Sequence, residues 1–309
     1  MLPILNYLNT YVEKKDSKFK MNSIKQKYIH LMGRILHFNI EVMNAEETVK
    51  LIKQNHASVI RLGDGEFDLI AGKDIPYQKY DPNLGKVLKQ IVLEGSSSNN
   101  IVCLPDVFNH IYRYTKECRS FYFDNFFYQN RKILRQISKL NNIYGSTFIS
   151  RPYIDLIDKS NSANYFESLK LIWKEKDILI VEGSLTRSGE GNDLFSEVKS
   201  IKRIICPAKD AFYKKDSIEK SIKRWGQNRI VLLMLGPTAK VVVNDLKEEL
   251  PNQLIDLGHV DTEYEWFKRK VTTKTKIPHK HTAEFNNDDE DVTLVEDSKF
   301  DEQVVEIIK

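Results

Sequence analysis

The sequence predicts an α/β fold: a Rossmann-like, mostly parallel sheet flanked by helices, with an N-terminal helical extension in front of it. Three observations predict this. From Ala57 onward short apolar runs recur, longer stretches with apolar residues three or four apart separate them, and glycine-containing polar segments follow several runs directly.

Taken in order, residues 1 to about 40 read as helical, with Leu2, Leu5, Leu8 and Val12 at helical spacing and Lys14, Lys15, Lys18 and Lys20 close behind. Such a segment suits two settings equally: an anionic membrane surface, or a groove on the protein itself or on a second subunit of a homo-oligomer. The strand-like runs are 59–62, 101–104, 147–150, 178–182, 204–206 and 230–235, with 254–257 as a candidate seventh. Helical patterns at 83–93, 131–140, 163–173, 217–225 and 238–250 lie among them. After Glu284 the chain turns acidic, starting Asn286, Asn287, Asp288, Asp289, Glu290, Asp291, and reads as a solvated or disordered extension. The expected organisation is a helical extension over 1–44, a main domain over 45–285 and an acidic tail over 286–309.

Composition narrows the class. A chain of 309 residues suits one large domain with additions. Its net charge of +4 hides an asymmetry, because residues 286–309 carry nine acidic and two basic side chains while the rest holds the excess of lysine and arginine. A basic body suits an anionic ligand such as a nucleoside diphosphate and does not call for nucleic acid. No apolar run approaches the ~20 residues of a membrane span, and the N-terminus lacks the order of a signal peptide. A cytoplasmic address is expected, with the inner face of the membrane open to the N-terminal segment. Cys103, Cys118 and Cys206 are odd in number and widely spaced, which favours buried free thiols.

Ligands of open α/β sheets gather at the carboxyl ends of strands, so the polar segments there carry the functional reading. In Arg61-Leu62-Gly63-Asp64-Gly65-Glu66 the glycines allow a tight approach. Asp64 and Glu66 offer hard oxygens for Mg²⁺ or Mn²⁺, and Arg61 offers a phosphate contact. Turn and capping chemistry explains the same residues. Glu182-Gly183-Ser184-Leu185-Thr186-Arg187, continuing to Asn192 and Asp193, reads either as a phosphate cradle with Arg187 neutralising charge or as a surface loop. Gly236-Pro237-Thr238 offers free amides at a helix start, or simple helix initiation. Asp256 to Trp266 is the densest cluster of ionisable and aromatic groups: His259 stands among Asp261, Glu263 and Glu265, and Tyr264 and Trp266 suit either sugar stacking or the core.

These segments in this order, together with Gln78 to Asp81, Ser150-Arg151-Pro152-Tyr153, Gly191 to Phe195 and Ile204 to Ala208, resemble the bacterial glycosyltransferases with the GT-D fold, first known as a conserved domain of unknown function. The likeness covers residues 45–285. It implies a UDP-sugar donor, a divalent metal (Mn²⁺ or Mg²⁺) held by an Asp-x-Glu motif at Asp64 and Glu66, and hexosyl transfer, glucose or a related sugar, to a hydroxyl of a growing glycan of a surface polysaccharide or glycoprotein. By the same resemblance Arg151, Glu182, Gly183, Asn192, Asp193, Gly236, Pro237, Thr238, Tyr264 and Lys280 join Arg61, Gly63, Gly65 and Arg187 as substrate-binding candidates, and Asp261, Glu263, Glu265 and His259 become candidate catalytic residues. The chain departs from the family pattern at Glu190, at Asp210 and at His279 and His281. Two other classes use similar parts: a metal-dependent phosphohydrolase or nucleotidyltransferase, and a non-catalytic sugar-nucleotide-binding scaffold.

Overall fold

The protein is described from a computed structural model covering residues 17–282, 285 and 292–309, with side chains from residue 25 onward. Helix α1 (Ser17–Ile35) leads to a two-residue strand β1 (Glu41–Val42) and α2 (Ala45–Asn55). A capping box opens α2: Glu47 N–H donates to Asn44 Oδ1 at 2.8 Å and Asn44 N–H to Glu47 Oε2 at 2.9 Å. The chain continues through β2 (Ser58–Arg61), α3 (Asp64–Ile70), α4 (Pro82–Glu94) and β3 (Asn100–Leu104). Short turns follow, among them the π-helical Tyr122–Phe126, before α5 (Arg131–Ile137), β4 (Ile143–Ser146) and α6 (Ser162–Lys170). Then come β5 (Asp177–Gly183), β6 (Ser200–Cys206), α7 (Lys215–Trp225), β7 (Ile230–Met234), α8 (Gly236–Leu246), β8 (Leu254–Asp256), α9 (Val260–Lys268), α10 (Ser298–Gln303) and β9 (Val304–Ile307).

The nine strands among the described residues are all parallel, in the order β1-β4-β3-β2-β8-β7-β5-β6-β9. Strand residues alternate between two apolar layers: Ile60, Val102, Leu104, Leu179 and Val181 point to one, Val59, Ile101, Cys103, Ile178 and Ile180 to the other. Both faces are buried, as parallel sheets require. From β2 the chain steps outward through β3 and β4, whereas β5 to β8 occupy the other side. The order therefore reverses at the β2–β8 seam, and a crevice opens at the carboxyl ends there.

The expected α/β sheet is present, with corrections. Residues 147–150 form a 3₁₀ turn rather than a strand, because β4 ends one residue earlier, at Ser146, whose Oγ accepts from Phe148 N–H at 3.0 Å. Helices α6 and α8 stop at Lys170 and Leu246, short of the apolar pattern. The chain beyond 285 does not run into solvent throughout: α10 and β9 close the sheet edge on β6, with Arg203 opposite Val304 and Ile205 opposite Ile307. The acidic run 286–291 and the N-terminal Leu2, Leu5, Leu8, Val12, Lys14 and Lys15 lie outside the described residues. Helix α1 packs on the π-helical segment, where a Cβ on Gly33 would stand 2.0 Å from the Phe123 carbonyl oxygen. Cys103, Cys118 and Cys206 are free and buried. No helix among the described residues is long and apolar enough to cross a membrane.

Candidate functional site

The crevice is a cleft of about 820 Å³, walled by the segments that follow β2, β4, β5, β7 and β8 and floored by a set of buried charges. Glu66 closes a capping contact at the start of α3, accepting from Gly63 N–H at 2.7 Å, and its Oε1 meets Lys240 Nζ at 3.2 Å. Lys240, from the second turn of α8, also reaches Asp256 Oδ2 at 3.0 Å and donates to the Gly236 carbonyl at 2.9 Å. Arg61 completes the set. Its Nε donates to the Asp256 carbonyl at 3.1 Å, and its guanidinium also donates to the Thr147 carbonyl at 3.0 Å and to Ser150 Oγ. Two cations and two carboxylates thus stitch β2, β8 and α8 together where water is excluded. Charge burial at this depth is tolerable only because each group is paired.

Glycines permit the close approaches. Gly258 has φ +47°, and a Cβ there would lie 1.9 Å from an Arg61 guanidinium nitrogen. Gly236, at φ +50°, leaves room for the Tyr77 ring, which a Cβ would meet at 2.9 Å. Tyr77 belongs to a loop held by Asp210: Asp210 N–H donates to the Tyr77 carbonyl at 3.0 Å, and Lys79 N–H to Asp210 Oδ1 at 2.7 Å. Asp210 itself adopts φ +53°, a left-handed conformation that Asp tolerates better than most residues.

Asp64 stands apart from this network. It opens on the cleft, and among the described residues no other side chain hydrogen-bonds it. Burial within the cleft walls, and secondarily the charge of Glu66, push its carboxyl above the usual range, while Arg151 works in the opposite direction. Asp64 keeps a solvent-facing surface on the cleft while the protein packed around it desolvates the carboxyl. Among the described residues no three His, Cys, Asp or Glu side chains gather to hold a metal ion alone. The donor set fits a cation of the Mg²⁺ or Mn²⁺ type in another way. Such ions are held by one or two carboxylates while diphosphate oxygens and water fill the remaining positions, and Asp64 with Glu66 beside it supplies that minimum.

Of the remaining expected residues, Gly63, Gly65, Arg151, Gly183, Gly236, Pro237, His259 and Asp261 also line the cleft. Several of the expected residues hold structural partners, most of them away from the cleft. Arg187 pairs with Glu190, lies 4.1 Å over the Phe300 ring and donates to the Val295 carbonyl at 3.1 Å, so its charge serves the C-terminal segment rather than the cleft. Glu182 is buried, accepting from Arg203 at 2.5 Å and from Ser188 N–H at 2.7 Å. Asp261 accepts from Gly189 N–H at 2.7 Å, Asn192 at 2.8 Å and Lys280 at 2.8 Å, which anchors the loop after β5 to α9. Glu265 takes a second proton of the Asn192 amide at 2.7 Å, and Glu263 accepts from Ile154 N–H at 3.1 Å; neither lines the cleft. Tyr264 and Trp266 are core residues. The Tyr264 hydroxyl donates to Asp193 at 2.9 Å, its ring packs on Phe166, and Trp266 Nε1 donates to the Thr275 carbonyl at 2.8 Å. Although burial acts to raise it, Asp193 is held down to about 2 by Lys268, Tyr264 and Lys170. Lys280 is buried on Asp261, and Thr238 is buried in α8.

Lys240, Tyr77 and Lys274 line the cleft without having been anticipated. For Lys240 a signal existed: a lysine directly before the apolar Val241-Val242-Val243, four residues after Gly236. Tyr77 and Lys274 lie in loops with no such pattern.

The profile of the glycosyltransferase GT-D fold family matches residues 59–285. Two curated proteins are similar: the probable glycosyl transferase Gly of Streptococcus gordonii, 46% identical over 271 residues, and the glycosyltransferase GlyD of Streptococcus pneumoniae, 44% identical over 266. Each match takes in 86% of this chain but only 38% and 32% of those proteins, so the chain spans about a third of their length. A solved structure of the highly conserved domain of unknown function 1792, described as having a distinct glycosyltransferase fold, superposes with a TM-score of 0.83 at 48% identity, covering 92% of this chain and 98% of that one.

Proposed function

The chain belongs to the glycosyltransferase GT-D fold family, and from that premise we propose that its cleft binds a UDP-sugar with Mn²⁺ or Mg²⁺ and transfers the hexose, glucose or a close relative, to a hydroxyl of a growing glycan on a polysaccharide or glycoprotein. The observation that carries this reading is Asp64, a carboxylate facing the cleft with no side-chain partner among the described residues, directly beside the Glu66–Lys240 pair.

In this reading Asp64, with Glu66 fixed beside it, holds the cation. When bound, that ion neutralises charge on the departing diphosphate. Lys240 and Arg61 do not need to move. They set the floor of the site, with Arg61 spanning from β2 to the Thr147 turn and Lys240 keeping Glu66 in place. Arg151, paired to Asp155 at 3.0 Å, contributes positive charge at the cleft wall near Asp64. As the acceptor oxygen bonds to the anomeric carbon and the bond to the diphosphate breaks, the acceptor proton has to be taken up. Of the four candidate bases, Glu263 and Glu265 are turned away and Asp261 is bound by three donors. For a reaction that inverts configuration, His259, which precedes α9 and lines the cleft, is the proton acceptor in this scheme.

The test is release of nucleoside diphosphate from a panel of sugar nucleotides, with Mn²⁺ or with chelator, by wild type and Asp64→Ala. UDP release that needs metal and disappears in the variant is the expected result. A variant that binds UDP and Mn²⁺ as tightly as wild type would remove Asp64 from the site.

A further inference from the structure

A second cavity, of about 410 Å³, lies beside the cleft and shares two wall residues with it, Phe148 and Arg151. Both come from the turn after β4, so that turn is the partition between the two spaces. The other walls come from separate parts of the chain: Glu46 at the start of α2, Tyr112 in the short 3₁₀ turn Ile111–Arg113, and Asp158 and Asn161 before α6.

The chemistry of these walls is selective. Tyr112 is 76% exposed, an aromatic ring left in water at the cavity rim with the Arg119 guanidinium 5.7 Å from its centroid. Glu46, Asp158 and Asn161 are exposed around it. Asp158 Oδ1 accepts from Ser160 N–H at 2.9 Å, and Asn161 Oδ1 accepts from Asn164 at 3.1 Å. Asp158 also meets the Ser160 side chain, and the Asn161 amide protons are not engaged by other described side chains. An aromatic face bordered by carboxylate and amide groups matches a saccharide, whose C–H face packs on the ring while its hydroxyls donate to carboxylate and accept from amide. The wall charges are mixed, Arg113 and Arg151 against Glu46, Asp158 and an Asp106 that Arg113 already neutralises, so net charge does not select an ionic ligand, and a purely apolar one leaves the hydrogen-bonding capacity of these walls unmet. The volume falls in the range of small-ligand pockets. The partition is also electrostatically coupled to the cleft, since the Arg151 charge is felt at Asp64.

We propose that this cavity is the acceptor subsite, in which a saccharide unit of the acceptor lies on Tyr112, bonds Asp158 and Asn161, and presents its hydroxyl past Arg151 into the cleft. The proposal rests on the reading of the cleft as the donor site, and the experiment separates the two. Methyl hexopyranosides and methyl N-acetylhexosaminides are titrated by ligand-observed NMR into the full chain with UDP and Mn²⁺ present. Wild type, Tyr112→Ala, Asn161→Ala and Tyr112→Phe are compared, and UDP-sugar hydrolysis without acceptor is measured on each. Expected is binding of at least one glycoside to wild type, a dissociation constant raised about tenfold in each alanine variant, the factor that ~1.4 kcal/mol of lost contact gives, near-wild-type binding by Tyr112→Phe, and unchanged hydrolysis in all. No binding of any glycoside to wild type, or equal binding by Tyr112→Ala, overturns the subsite while hydrolysis keeps the donor reading standing. If wild type neither hydrolyses a UDP-sugar nor binds UDP with Mn²⁺, the donor reading falls, and the subsite with it.

Discussion

Lys240→Met probes the floor of the cleft. The substitution keeps the length and much of the volume of the side chain and removes one charge that is 3% exposed. Its loss leaves Glu66 Oε1, formerly 3.2 Å from Nζ, and Asp256 Oδ2, formerly 3.0 Å away, without their cation. Breaking one partner out of a buried ion pair costs about 3–5 kcal/mol. The lower part of that range applies here, because Glu66 keeps the Gly63 N–H and Asp256 keeps Arg61 N–H at 3.2 Å and Gly258 N–H at 3.2 Å. With an unfolding entropy of about 2.1 cal/mol/K per residue, a chain of this length changes by roughly 0.65 kcal/mol per degree, so Tm should fall by about 5 °C. Calorimetry measures that shift, and a double-mutant cycle with Glu66→Gln, read by urea denaturation, isolates the pair. Removing the carboxylate charge as well should recover about 1–3 kcal/mol as a coupling energy. If the two substitutions add to within about 0.5 kcal/mol, Lys240 and Glu66 do not depend on each other and the account of the floor is wrong.

Two further predictions concern Asp64 and the C-terminal segment. Because burial and Glu66 raise the Asp64 pKa, the folded protein holds a proton there, between the ordinary value of 3.8 and the raised one, that the unfolded chain has released. The group's stability contribution is complete below 3.8 and lost as pH rises through the raised value, so Asp64→Asn should gain in Tm on wild type with increasing pH in the presence of chelator; a pH-independent difference counts against the buried carboxylate. Phe300 is buried with Arg187 at 4.1 Å over its ring and Arg203 at 4.3 Å, so Phe300→Ala should cost about 3–5 kcal/mol and raise hydrogen exchange in the loop after β5. Unaltered protection over residues 183–192 would show that the C-terminal segment does not hold that loop.

How much was legible in the sequence follows from where each group finds its partner. Strands β2, β3, β5, β7 and β8 announce themselves because they are buried on both faces and read as unbroken apolar runs. Strand β9 does not, because Val304-Val305-Glu306-Ile307 sits among acidic residues at the edge, where Ile307 is exposed and the other three are only half-buried. Strand β1 has two residues, too few to carry a period. In the site, Asp64 could be picked out by its place after a strand, which is a local property. The engagement of Glu66 by Lys240 and of Arg61 by Asp256 could not, since both partners arrive from distant turns of the chain. The Arg187–Glu190 pair is the exception. Opposite charges three residues apart in a tight glycine-containing loop lie within reach of each other, so a local partner for Arg187 stands close by in the chain.

The seam between β2 and β8 also bears on how the molecule comes into being. It joins residues about two hundred positions apart, as in the Arg61 N–H bond to Asp256 Oδ2 across 195 positions. Each half of the sheet can form from nearer pairings, but closing this seam carries the largest loop-closure entropy, and contacts of such range are slow to form. The cleft straddles that join. During refolding, ligand binding should therefore return with the last phase rather than with the bulk of secondary structure, which makes occupancy of the site a kinetic marker for completion of the fold.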